Sequence, residues 1–124
     1  MKRLNYIISV LILTTSFIGF SQSYNMSNSS ISDCGGTFYD SGGSGGDYSN
    51  GETYVFTICP DTPGSSVTVN FTSFDIENNF DMFTVYDGDN TGAVSLGSYT
   101  GTTGPGFVAA TSSNPSGCLT FEFT

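Results

Sequence analysis

The run FDIENNFDMFTVYDGD, residues 74–89, holds five carboxylates in sixteen residues: Asp75, Glu77, Asp81, Asp87 and Asp89. No cationic side chain stands near them, because the only Lys and Arg of the chain are Lys2 and Arg3 and there is no His. Carboxylates held close together either raise the pKa of some members or share a cation from outside. Calcium is the first candidate, since it takes roughly six to eight oxygen ligands at about 2.3–2.6 Å and prefers carboxylates and carbonyls.

Within the run the five acids are not equivalent. Residues 67–74 read as an entering strand and 81–86 as a leaving one, so a tight connection runs from Glu77 through Asn78, Asn79 and Phe80 to Asp81. Like charges facing each other across such a turn are destabilising. Glu77 and Asp81 are therefore candidate metal ligands, and two carboxylates splayed into water are the competing reading. Asp87-Gly88 is a turn signal, with Asp bonding backbone amides and Gly taking positive φ, so Asp87 and Asp89 are assigned to turn chemistry. Asp75 receives no role. A carboxylate pair could also serve a glycosidase, which holds its two acids about 5–9.5 Å apart across a cleft. A sandwich of this size offers little cleft, and no His, Lys or Arg could assist, so catalysis is not expected.

The elements that must position these residues come from a short exported chain. Lys2 and Arg3 precede a mostly apolar stretch over 6–20, and small residues follow at Gly19, Ser21 and Ser23. This is the layout of a secretory signal peptide, residues 1–21, with cleavage expected after Ser21 or Ser23. A membrane span would need about 20 predominantly apolar residues. Cleavage removes both cations and leaves eleven acids against no bases, a formal side-chain charge of -11. Nucleic acid and anionic membrane surfaces are excluded as partners by that sign.

Three cysteines are an odd number for an exported domain. Cys34 and Cys59 are the natural disulfide, closing a loop of about 26 residues that is worth roughly 3 to 4 kcal/mol. Cys118 is left unpaired, either free, bridged to another molecule, or paired beyond this sequence. The segment 118–124 alternates Leu119, Phe121 and Phe123 against Thr120 and Glu122, as a half-buried strand does. It stops in mid-pattern, which is expected of a domain whose last strand or strands lie further on.

Residues 22–33 are rich in Ser and Asn and read as a loose leader, and 40–50 as a glycine-dense loop. After that loop, alternating runs of Thr, Val, Phe and Tyr recur between turn signals about every ten residues, with no convincing helical period. The expected architecture is an all-β sandwich or barrel, with most Phe side chains in its core.

In this order the pieces resemble the CUB domain family: Cys34, Tyr48, Cys59-Pro60, V-x-V-x-F-x-x-F over 67–74, Asp75-Ile76-Glu77, D-x-x-x-V-Y-D-G over 81–88, L-G-x-Y-x-G over 96–101, and the apolar strand 119–123. The resemblance covers 34–124. It implies a jelly-roll-like antiparallel β-sandwich used outside the cell as a non-catalytic interaction module. It also implies a calcium site in which Glu77 and Asp81 are ligands and Tyr48 supports them. A third carboxylate would follow the last strand, just beyond Thr124. Two departures stand out: the Glu77-to-Asp81 spacing is short, and the family's second disulfide is missing, with Thr100 in the place of one of its cysteines. The expected partners are protein or carbohydrate ligands, with cationic groups favoured by the charge. A structural or adhesin repeat, or an accessory domain of a larger secreted hydrolase, is the alternative.

Overall fold

The computed structural model describes residues 21–124, so the expected signal peptide lies almost entirely outside the described residues. Among the described residues there are nine strands, β1 (Gln22–Asn25), β2 (Ser29–Ser32), β3 (Gly36–Tyr39), β4 (Tyr54–Cys59), β5 (Thr68–Asn70), β6 (Phe83–Asp87), β7 (Val94–Tyr99), β8 (Phe107–Ala109) and β9 (Leu119–Phe123), with one 3-10 turn at Gly43–Gly45. One layer is a five-stranded sheet in the order β2-β4-β9-β6-β7. Two short sheets, β1-β3 and β5-β8, form the other layer. This is the all-β sandwich that the alternating runs predict.

The core lies between the layers, because each strand sends every second side chain inward. From the large sheet come Phe56, Ile58, Phe83, Val85, Leu119, Phe121 and Phe123, and from the opposite layer Val67 and Val108, all buried, with Phe38, Val69 and Phe71 packed against them. Phe71 meets Phe38 and Phe83 edge-on, both at 5.5 Å between ring centroids. Such tilted pairs suit the quadrupole of the ring better than face-to-face stacking does.

Residues 22–33 are not a loose leader. They supply β1 and β2, which run parallel to β3 and β4 respectively, and Met26 between them is 6% exposed in the core. Asn28 Oδ1 also accepts the Val55 N–H at 2.8 Å. The Ser and Asn content misleads because both strands are edge strands whose side chains are largely exposed, so polar residues suit them. The domain thus begins near residue 21 rather than at Cys34, and two of its strand pairs are parallel.

The disulfide expectation is likewise corrected. Cys59 pairs with Cys118, and Cys34 is a free, exposed thiol. The register explains the choice. β4 and β9 are antiparallel with Ile58 opposite Leu119, so the next step along each strand sets Cys59 against Cys118, with Cα atoms 4.1 Å apart. Cys34 lies just past β2 and faces Asp61 instead; its hydrogen bond to that carboxylate pushes the thiol pKa up. β9 is the central strand of the large sheet, paired on both sides. Hence Thr120, read as outward-facing, is fully buried, with its hydroxyl bonded to Thr57 at 2.9 Å and to the Gly88 carbonyl at 2.9 Å.

Candidate functional site

The connection between β5 and β6 closes in a compact turn. The Glu77 carbonyl accepts the N–H groups of Phe80 at 3.3 Å and Asp81 at 3.0 Å. Asn79 takes a left-handed φ of 65°, alone among the described non-glycine residues, and Asn tolerates that region better than most side chains. Thr100, just after β7, braces the turn from outside. Its Oγ1 accepts the Asn79 N–H at 3.0 Å and donates to the Glu77 carbonyl at 3.4 Å. A hydroxyl thus ties the turn to the end of β7.

Asp81 leads into β6, whose start is held by the large sheet. Met82 and Thr124 exchange both backbone hydrogen bonds, at 2.9 and 3.0 Å. Phe83 then sits opposite Tyr99 on one side and Phe123 on the other.

Tyr48 joins the two ends of the turn. It comes from the glycine-dense loop, and its ring lies edge-on against Phe123, with centroids 4.9 Å apart and planes at 71°. From there the hydroxyl donates to Asp81 Oδ2 at 2.6 Å and accepts the Glu77 N–H at 2.8 Å. Burial, followed by the bond to Asp81, pushes the phenol pKa above its ordinary value of 10.0. The hydroxyl therefore stays protonated at neutral pH, as a donor to Asp81 must. The structure brings together the three residues singled out from sequence, across separations of 29 and 33 positions. Among the described residues no three acidic, His or Cys side chains form a cluster suited to a metal ion. Glu77 and Asp81 are thus two carboxylates on a rigid turn, fewer than the oxygens calcium requires.

The flank of the turn is a shallow depression of about 480 Å³, lined by residues 75–78 and 100–103. Asp75 and Glu77 are exposed there, and Phe80 crowns the turn with 80% of its surface exposed. Phe80 belongs to the connection rather than to a strand, so no strand alternation turns it toward the core.

Asp87 does more than serve a local turn. Its Oδ1 accepts the Thr111 N–H at 3.0 Å and the Asn114 Nδ2–H at 2.9 Å, and its Oδ2 accepts the Thr111 hydroxyl at 2.5 Å. Asn114 is buried and passes a second hydrogen to the Cys118 carbonyl at 2.7 Å. Burial alone would raise the Asp87 pKa, but the bonds from Thr111 and Asn114 outweigh it and hold the carboxyl below its ordinary 3.8. Asp87 is a structural anion that ties β6 to the connection before β9. Asp89 accepts the Asn90 side-chain amide at 2.7 Å in the following turn, in keeping with its turn assignment.

The CUB domain family model matches the chain over residues 21–123, and the chain belongs to that family. The matched span starts one residue before β1, in agreement with the fold. CUB domains are β-sandwich modules, generally extracellular, that act in protein interaction without catalysis of their own, and many of them bind calcium.

Proposed function

We propose that this chain is an exported, non-catalytic interaction module that grips protein partners through the Glu77–Asp81 turn, with calcium as the pin. The observation that carries the reading is the Tyr48 hydroxyl, which fixes the Asp81 carboxylate and the Glu77 backbone in one unit. The Asp81 carboxylate, already held by the Tyr48 hydroxyl, loses little freedom on taking up a cation. Glu77 and Asp81 would be the charged ligands, with Tyr48 as support. Backbone carbonyls and water would supply further oxygens. The antiparallel register, in which Met82 faces Thr124, brings any residue following Thr124 opposite Asp81. A carboxylate there would be the third charged ligand.

The partner is a protein segment that carries Lys or Arg beside an apolar contact. The exposed Phe80 and Met82 offer that contact, and the surrounding acids offer the charge. Export through a signal peptide places the module outside the cell. Of the two cleavage positions, the one after Ser21 leaves β1 whole.

Thermal melts with calcium and with a chelator test the site on wild type, Glu77→Ala and Asp81→Ala. Calcium at about a hundred times its Kd adds about 2.7 kcal/mol to a native state that binds it, a rise of several degrees in Tm. The rise is expected for wild type and absent from both variants. Equal wild-type midpoints with calcium and with chelator would sink the calcium reading.

A further inference from the structure

The outer face of the large sheet, turned away from the core, is rich in hydroxyl side chains. Alternation along each strand leaves them outside while Phe56, Val85 and Phe121 point inward. Ser30, Thr57, Thr120, Tyr86 and Ser95 form one row in register, with a hydroxyl on every strand of the sheet. Val55, Glu122, Thr84 and Ser98 form the next row. Glu122 is the one acid among the outward residues of these strands, in a chain that holds eleven.

The side chains of this face are largely paired with one another. Thr57 and Thr120 bond at 2.9 Å, and Thr84 and Ser98 at 2.8 Å. Thr57, Thr84 and Thr120 are buried, whereas Ser30, Ser95 and Ser98 are exposed. The Tyr86 hydroxyl donates to Glu122 Oε2 at 2.6 Å. Tyr86 stands opposite Thr120 and Glu122 opposite Thr84, so that bond runs diagonally across the sheet. It pins the half-buried Tyr86 ring over the surface between Thr84 and Thr120, with Ser95 and Ser98 on its β7 side.

Charge narrows the class of ligand. An anionic ligand is repelled by a domain whose described residues carry no Lys or Arg. A cationic ligand finds its counter-charges elsewhere, at the acidic turn. What this face presents is uncharged apart from Glu122: hydroxyls that both donate and accept, and a fixed aromatic ring. A neutral sugar has the matching chemistry. Its hydroxyls donate and accept in turn, and its polarised C–H groups pack on the electron-rich face of an aromatic ring.

We propose that the outer face of β9, β6 and β7 binds a neutral polysaccharide. A pyranose ring stacks on Tyr86, while its hydroxyls bond to Glu122 Oε1 and to the exposed Ser95 and Ser98. The surface shares no residue with the Glu77–Asp81 turn, so it stands whether or not calcium binds there.

Amide NMR of the mature protein, titrated with cellohexaose, xylohexaose, mannohexaose and chitohexaose, tests the proposal. At least one of these neutral oligosaccharides is expected to shift the amides of Thr84, Tyr86, Ser98 and Glu122, with calcium and with chelator alike. Tyr86→Leu keeps apolar cover over Thr84 and Thr120 but removes the aromatic face, and should weaken that binding by about tenfold. Ser98→Arg, at an exposed position, should weaken it as much by filling the face beside the ring. No shift on this face from any of the sugars overturns the proposal, as does wild-type affinity in both variants. Shifts confined to the acidic turn or to Phe107 overturn the assignment of the face. A face that responds only to an added protein overturns the choice of a glycan.

Discussion

At the scale of single residues, two carboxylates in the same acidic run do opposite jobs. Glu77 and Asp81 stand on an exposed turn with Tyr48 between them, whereas Asp87 is consumed by Thr111 and Asn114. What separates them is the supply of donors. Asp87 accepts three hydrogen bonds from neutral groups, enough to stabilise a part-buried anion without a cation. Its depressed pKa fixes the direction of a pH effect. Stability from this group is fully present above about 3.8, the ordinary carboxyl value, and is lost as pH falls through the lower folded value. Asp87→Asn should therefore flatten the acid limb of a plot of Tm against pH below about pH 4. An unchanged acid limb would show that the network contributes nothing through its charge. The sequence disclosed Asp87 only as half of an Asp-Gly turn, because its donors sit 24 and 27 positions away.

At the scale of elements, the register of β4 against β9 decides the covalent chemistry. Cys59 and Cys118 close a loop with a sequence separation of 59, for which the chain-entropy estimate is about 4 kcal/mol. Cys118→Ser should cost about 2 to 5 kcal/mol in denaturant unfolding, while Cys34→Ser should cost less than about 0.5 kcal/mol because its side chain is exposed. Equal losses for the two variants would contradict the pairing. Sequence separation favoured Cys34 with Cys59, the shorter loop; strand order favours the longer one. The same strand order turns Thr120 inward and makes strands of 22–32, whose polar residues suit an exposed edge.

At the scale of the whole molecule, the dominant fact is charge of one sign. Both basic residues precede the domain, so the described residues contain no Lys or Arg to form a salt bridge with their eleven acids. Self-repulsion of that charge weakens the compact state, and salt screens it over about 10 Å at 0.1 M. Raising NaCl from about 0.02 M to 0.2 M should therefore raise Tm by a few degrees in the absence of calcium. A fall in Tm would mean that attractive pairs outweigh repulsion, against the composition.

Local pattern sufficed for the β class, the approximate places of β6 and β9, the acidic sign and the turn between Glu77 and Asp81. These follow from period-two alternation, turn residues and a count of charges, all of them local or additive. Tertiary structure alone decided which cysteines pair, that the polar stretch 22–32 forms two edge strands, and that Asp87 is structural. It also showed that Thr100 braces the acidic turn. Those outcomes depend on strand order and register, which bring together residues far apart in the chain, and no local pattern encodes which distant strand becomes a neighbour.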